Sequence, residues 1–256
     1  MEADGAYSAW GVFALFLTFK KWTAIYILCL LGLFVIFGAI LWHGSAVNVS
    51  KNNIALNYDS PVLIIDAGHG GEDGGAVSGD GTPEAGINLA IALQMQEIAR
   101  LVGREMVLTR ETDTSLHGES ASTLAEKKRE DLQNRVAFCN GVSNGVLISI
   151  HQNSLPEFPR TQGAQVFFGP AEGSEDLAKG MQEQLNQTIN QREKTCRPIG
   201  DGVYLLEHTE CPAILVECGF LSNSEETARL KDSAYQTKLA CILMSAAMDL
   251  TDGTTE

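Results

Sequence analysis

Residues 62–76 read VLIIDAGHGGEDGGA. The opening VLIID is a short apolar run bounded by turn formers, the pattern of a buried strand. The rest is five glycines, one histidine and two acids in ten residues. Such a loop suits either phosphate or a metal. The dinucleotide pattern G-x-G-x-x-G, laid on Gly68 and Gly70, needs a third glycine where Asp73 stands, and a Walker loop needs Gly-Lys-Ser/Thr where GGA stands. The next helical pattern also begins only near Ile87, beyond Pro83, so an anion would meet Glu72, Asp73 and Asp80 rather than a bare helix N-terminus. The phosphate reading fails, and the histidine becomes the informative residue.

Apolar runs alternate with amphipathic ones downstream. Strands are expected at 62–66, 105–110 (EMVLTR), 145–150 (GVLISI), 163–169 (GAQVFFG) and 213–217 (AILVE). A helix over 87–102 presents Ile87, Ile91, Met95, Ile98 and Val102 on one face. Others gather around Leu132, Val136 and Cys139, and after Ser174 with Leu177, Met181, Leu185 and Ile189. SNSE (222–225) has capping-box spacing and opens a last helix burying Tyr235, Leu239, Ile242, Leu243 and Leu250. This order predicts one three-layer α/β domain over 61–250, a mostly parallel central sheet flanked by helices.

The chain has 256 residues and a formal net charge of −14, and the few basic residues of EKKRE (126–130) are flanked by acids. That balance argues against a nucleic-acid partner. Residues 22–42 carry no charge and have tryptophan at both ends, with Lys20 and Lys21 just before them. They read as a transmembrane anchor following a cytoplasmic or interfacial segment (1–21). The expected location is therefore the cell membrane, with the body outside the cytoplasm. A cleaved signal peptide ending at GSA (44–46) is the competing reading. Residues 43–60 read as a linker and 251–256 as a tail. Cys29 lies in the span; the other five cysteines form no CxxC pair and signal no disulfide framework.

Three expected strands end in titratable residues: His69, His151 and Glu217. In an open α/β sheet the carboxyl ends of neighbouring strands form the site crevice. Two histidines and an acid suit catalytic zinc, which takes three protein ligands and keeps a fourth position open. Glu72, Asp73, Asp80 and Glu84 are candidates for the third ligand, and Glu84 is favoured because the following helix would hold it. Glu217, on the third strand, brings a carboxylate to the same crevice, with an ion pair to Arg110 or Arg135 as the plain alternative. Arg110 is a candidate to contact substrate or brace the site, and Asn153, two residues past His151, is another. His208 follows a segment (GVYLLE) that could line the cleft; His117 reads as exposed. Cys218 falls on the opposite strand face from Glu217. GVSNG (141–145) matches G-x-S-x-G, but its helix precedes and its strand follows, the reverse of a nucleophile elbow.

IIDAGHGGEDGGA, a glutamate before INLAIAL, then LTRETD, LISIHQNS and AILVECGFLSN, in this order, resemble the zinc-dependent N-acetylmuramoyl-L-alanine amidases of bacterial cell walls. The resemblance covers residue 62 to about residue 250. It implies zinc on His69, Glu84 and His151, with Glu217 catalytic, and peptidoglycan as the substrate. The sequence departs from the family in EAG after the ligand glutamate and in Gln152 and Ser154 around His151. A lone N-terminal anchor, GAQVFF and GVYLL are similar to the germination-specific amidases, which act in spore cortex maturation. The alternatives are a general autolysin or an inactive wall-binding module. An accessory protein partner is also an expectation, because no wall-binding repeat is present.

Overall fold

The computed structural model describes residues 60–251. The expected segment 1–21, the span 22–42, nearly all of the linker and residues 252–256 lie outside the described residues. Among the described residues, no helix is long and apolar enough to cross a membrane.

The strands are β1 (Val62–Ala67), β2 (Met106–Leu108), β3 (Gly145–Asn153), β4 (Gln165–Phe168), β5 (Arg197–Pro198) and β6 (Ala213–Phe220). The helices are α1 (Glu84–Val102), α2 (Leu124–Asn140), α3 (Ser174–Thr188), α4 (Tyr204–His208), α5 (Ser224–Leu230) and α6 (Ser233–Thr251). One sheet carries the strands in the order β2-β1-β3-β6-β4-β5. All neighbours run parallel except β4 against β6. The reason is the connection: no helix intervenes between β3 and β4. The loop therefore enters β4 at the edge where β3 ended, and β4 must run back down.

Strand alternation sends residues to two unequal layers. Leu63, Ile65, Ile148, Ile150, Ile214 and Val216 face the larger core with α1, α3 and α6. Ile64, Leu147, Ala213 and Leu215 face the smaller one with Cys139 of α2 and Leu205 and Leu206 of α4. Cys218 falls in the larger core, opposite to Glu217 as expected. Among the described residues, only α2 and the five-residue α4 cover the second face, and these leave its upper end open.

Helix limits differ from the sequence expectations in instructive ways. α1 begins three residues earlier, at Glu84, with Pro83 before it and no side-chain cap. The glycine loop caps it instead, Glu84 N–H donating to Ala76 O and Ala85 N–H to Gly74 O. Its buried face runs through Glu84, Ile87, Asn88, Ile91, Ala92, Met95 and Ala99, while Val102 is exposed. The final expected helix is two. Asn223, not Ser222, caps α5 by accepting from Glu225 and Glu226 N–H, and Asp232 accepts from Tyr235 N–H to start α6. In α6, Leu239 and Leu243 are buried, but Leu250 is exposed. Ser143 lies in the turn between α2 and β3, as its order implied.

Beneath the open end of the second face lies a buried charge. Asp66, 1% exposed, accepts at Oδ1 from Arg135 Nη1 (2.6 Å) and Thr109 Oγ1 (2.7 Å), and at Oδ2 from Ser149 Oγ (2.6 Å). Arg135 also donates to Asp131 and to the carbonyls of Ala67 and His69. Burial raises the Asp66 pKa, but Arg135 and the two hydroxyls win and hold it at about 2, below the ordinary 3.8. A depressed carboxylate pKa contributes stability that is present above the unfolded value and lost as pH falls through the folded one. Asp66→Asn should destabilise the protein by about 3–5 kcal/mol at neutral pH, because it leaves Arg135 buried with one charge partner fewer. In urea titrations this deficit should shrink as pH is lowered from 4 towards 2; a deficit under 1 kcal/mol, or one independent of pH, would contradict the account.

Candidate metal centre and catalytic site

β1 ends at Ala67, and the chain turns at His69 in a left-handed conformation, φ 61°. The Arg135 bond to its carbonyl helps to hold that turn. His69 Nε2 lies 2.8 Å from Glu84 Oε1, and its Nδ1 lies 3.0 Å from Asp73 Oδ2. His151, near the end of β3, places Nδ1 3.7 Å from Glu84 Oε2. The two imidazole rings sit 5.0 Å apart, edge to face. One donor atom from each of His69, Glu84 and His151 fits within a 4.8 Å cluster able to hold a metal ion.

Glu84, 3% exposed, is held from several sides. Oε1 accepts from Ala76 N–H, and Oε2 from Gln152 N–H and Asn88 Nδ2. Burial raises its pKa, yet His151 and His69 outweigh it and keep the group well below the carboxylate range. Burial lowers the His69 pKa, while Glu84 and Asp73 raise it further than burial lowers it. Two glycines make room for these side chains. A Cβ on Gly68 would lie 2.3 Å from the His151 ring, and one on Gly75 would lie 2.2 Å from Glu84 Oε1. The loop glycines therefore admit the donors as well as turning the backbone.

Glu217 stands directly across the ladder from His151. Its Oε2 is buried with no hydrogen-bond partner. Burial pushes its pKa up to about 7; the two histidines pull it down, and Glu84 adds to the rise. Neither arginine pairs with it. Arg110 donates to the carbonyls of Ala67, Thr112, Gly68 and Ala85, so it braces the end of β1 against the first turn of α1. Asn153 follows a register shift after His151; its carbonyl accepts from Leu221 N–H.

A cavity of about 230 Å³ opens beside His69 and His151, walled by α2 and by the segment leading through α4. The segment GVYLL does line the cleft, but His208 is exposed and stacks on Tyr204 at 3.9 Å. His117 is half-buried, its Nδ1 near the Gly118 carbonyl. Glu72 pairs on the surface with Lys127. All five described cysteines are free, and burial raises the Cys218 thiol far above its ordinary range, which leaves it inert.

Sequence reasoning missed three parts of this arrangement. The sequence places Asp66 only at the end of a strand, keeps Asp73 among the candidate ligands and does not single out Asn88. Each had a faint signal. Asp66 closes an apolar run, Asp73 is four residues from His69, and Asn88 interrupts the apolar face one turn after Glu84.

Residues 63–247 match the family model for N-acetylmuramoyl-L-alanine amidase. The germination-specific N-acetylmuramoyl-L-alanine amidase of Bacillus subtilis is 34% identical over 187 residues, 73% of this chain and 78% of that protein. Among solved structures, the CwlD amidase from Clostridioides difficile, in complex with the GerS lipoprotein, superposes with a TM-score of 0.71 at 36% identity, covering 75% of this chain and 98% of that one. The catalytic domain of CwlV from Bacillus (Paenibacillus) polymyxa var. colistinus gives 0.64 at 29% identity, covering 75% and 98%. With the family motif spanning the sheet and the converged donors at its end, the chain belongs to the N-acetylmuramoyl-L-alanine amidases, enzymes that act on peptidoglycan.

Proposed function

We propose that the chain is a zinc amidase that hydrolyses the bond between the lactyl group of N-acetylmuramic acid and L-alanine of the stem peptide. His69, Glu84 and His151 hold the ion, and Glu217 is the catalytic residue. The observation that carries this reading is the convergence of the His₂Glu donors next to a buried carboxylate oxygen with no partner. That donor set suits zinc, and the free Glu217 oxygen faces no competing group.

When bound, zinc would acidify a water and polarise the scissile carbonyl. The protein's own groups do the rest. Asp73 fixes the His69 tautomer by accepting from Nδ1–H, which would leave Nε2 as the donor atom for zinc. Glu217, raised by burial to about 7, is matched to proton transfer near neutral pH. It takes the proton of the attacking water and delivers it to the amide nitrogen, which departs poorly without one.

The reading extends to the cell. Residues 22–42 anchor the enzyme in the membrane with its catalytic domain on the outer side, and the substrate is spore cortex peptidoglycan. The similarity to a germination-specific amidase supports this, as does the uncharged run between tryptophans. An accessory protein partner is part of the same proposal, since the CwlD neighbour is found with a lipoprotein.

Purified full-length protein should carry about one zinc per chain and release stem peptides beginning at L-alanine from peptidoglycan, seen by mass spectrometry. Chelation should abolish this release, and zinc should restore it. Glu217→Gln should keep its zinc and lose at least about 10²-fold in rate; full activity after chelation, or in that variant, would refute the assignment. Asp73→Asn should weaken zinc affinity by about 10–100-fold in competition with a chromophoric chelator, whereas unchanged affinity would remove Asp73 from the centre. Spores of a strain lacking the gene should have cortex muropeptides depleted of muramic-δ-lactam; an unaltered cortex would favour the general autolysin.

A further inference from the structure

Beyond β6, on the side away from the metal donors, lies a second groove of about 800 Å³. It is formed by the loop that leaves β3 and by the loop that precedes β5. Arg160, Arg192, Phe158, Gln162 and Gln191 line it. Gln162 and Gln191 bond to each other across it at 2.9 Å. Phe158 is 64% exposed. Arg160 and Arg192 are exposed and make no ion pair or hydrogen bond among the described residues. Glu157 and Glu193 also border the groove, and Lys194 is committed to the Gly163 carbonyl and the Phe220 ring. In a chain of net charge −14, two arginines without partners on one groove mark an anion-binding surface.

The sheet order says which part of the substrate reaches it. Across the upper edge stand His69 after β1, His151 on β3, Glu217 on β6 and then β4. The group that protonates the departing nitrogen must adjoin it, so the peptide leaves on the Glu217 side, towards β4. Gln165 of β4 is the register partner of Glu217, and Gly163, at the groove, is two residues earlier. Strand rise and spacing place Gly163, at one end of the groove, roughly 8–10 Å from Glu217. An extended peptide covers that distance in about three residues. In peptidoglycan those residues, after L-alanine, carry carboxylates.

We propose that this groove seats the acidic stem peptide on the leaving-group side of the scissile amide, with Arg160 and Arg192 pairing with its carboxylates. The inference rests on the role given to Glu217 above. Two arginines of this kind favour the charged peptide over its amidated form, and they act on substrate capture rather than on the chemical step.

The test uses the full-length zinc-loaded enzyme and two synthetic substrates, an N-acetylmuramoyl tripeptide with free carboxylates and the same molecule with all of them amidated. Wild type should favour the free acid by about tenfold in kcat/KM. R160A/R192A should lose that preference through KM, keeping kcat and its activity on the amidated substrate. Calorimetric binding of the free tripeptide should weaken in the double variant and with added salt. An unchanged preference and unchanged peptide binding in R160A/R192A would overturn the inference while leaving the zinc amidase intact. Peptide binding that depends on both arginines, in an enzyme that hydrolyses neither substrate, would instead refute the proposed function.

Discussion

The Asp66–Arg135 ion pair is the constraint on which the site depends. Asp66 sits near the end of β1, between the hydroxyl of Thr109 just past β2 and that of Ser149 on β3. A buried carboxylate there would be costly alone, and Arg135 from α2 neutralises it. The guanidinium then has donors to spare and spends them on the carbonyls of Ala67 and His69. Arg110 reaches the Ala67 and Gly68 carbonyls from the other side. Two buried arginines thus grip the chain where it leaves β1. This grip lets a non-glycine residue, His69, hold a left-handed backbone that would otherwise be strained.

Glu84 joins the pieces that the arginines position. It is the first residue of α1, yet its carboxylate touches the glycine loop through Ala76, β3 through Gln152, and both histidines. A carboxylate fixed this firmly would lose little freedom on binding an ion. The glycines at 68 and 75 are needed because the donors approach the backbone more closely than any Cβ would allow. The loop that first suggested phosphate is shaped by side chains entering it rather than by an anion resting on it.

The two unequal layers explain where the cleft lies. The face covered by α1, α3 and α6 is closed, and the face covered by α2 and the short α4 is open above Ser149 and Leu215. His151, Glu217 and Gln165 align across β3, β6 and β4 on that edge. The antiparallel β4 matters here, since its entry point falls beside Glu217 and brings the loop after β3 to the same end. A parallel strand in that place would have sent the loop to the far side of the sheet.

The alternating pattern of strands and helices, the three residues at strand ends and a Glu84 held by the helix that follows it were legible in the sequence. Each is local: strand periodicity, turn formers after a histidine, an acid held by a following helix. Helix boundaries were less legible. The cap of α1 comes from loop carbonyls, and the break between α5 and α6 comes from Asp232; neither follows from apolar spacing. What only the tertiary structure decided was the use of the remaining polar residues. Arg110 and Arg135 could each have paired with Glu217, yet Arg110 went to four carbonyls and Arg135 to Asp66, Asp131 and two carbonyls, leaving Glu217 Oε2 without a partner. Asp73, one of the candidate ligands, stands 3.0 Å from His69 Nδ1. Sequence alone named the strands that bear the donors, because periodicity is written along the chain. The partner of each buried charge depends on which distant groups packing brings within about 3 Å, and that is settled only in three dimensions.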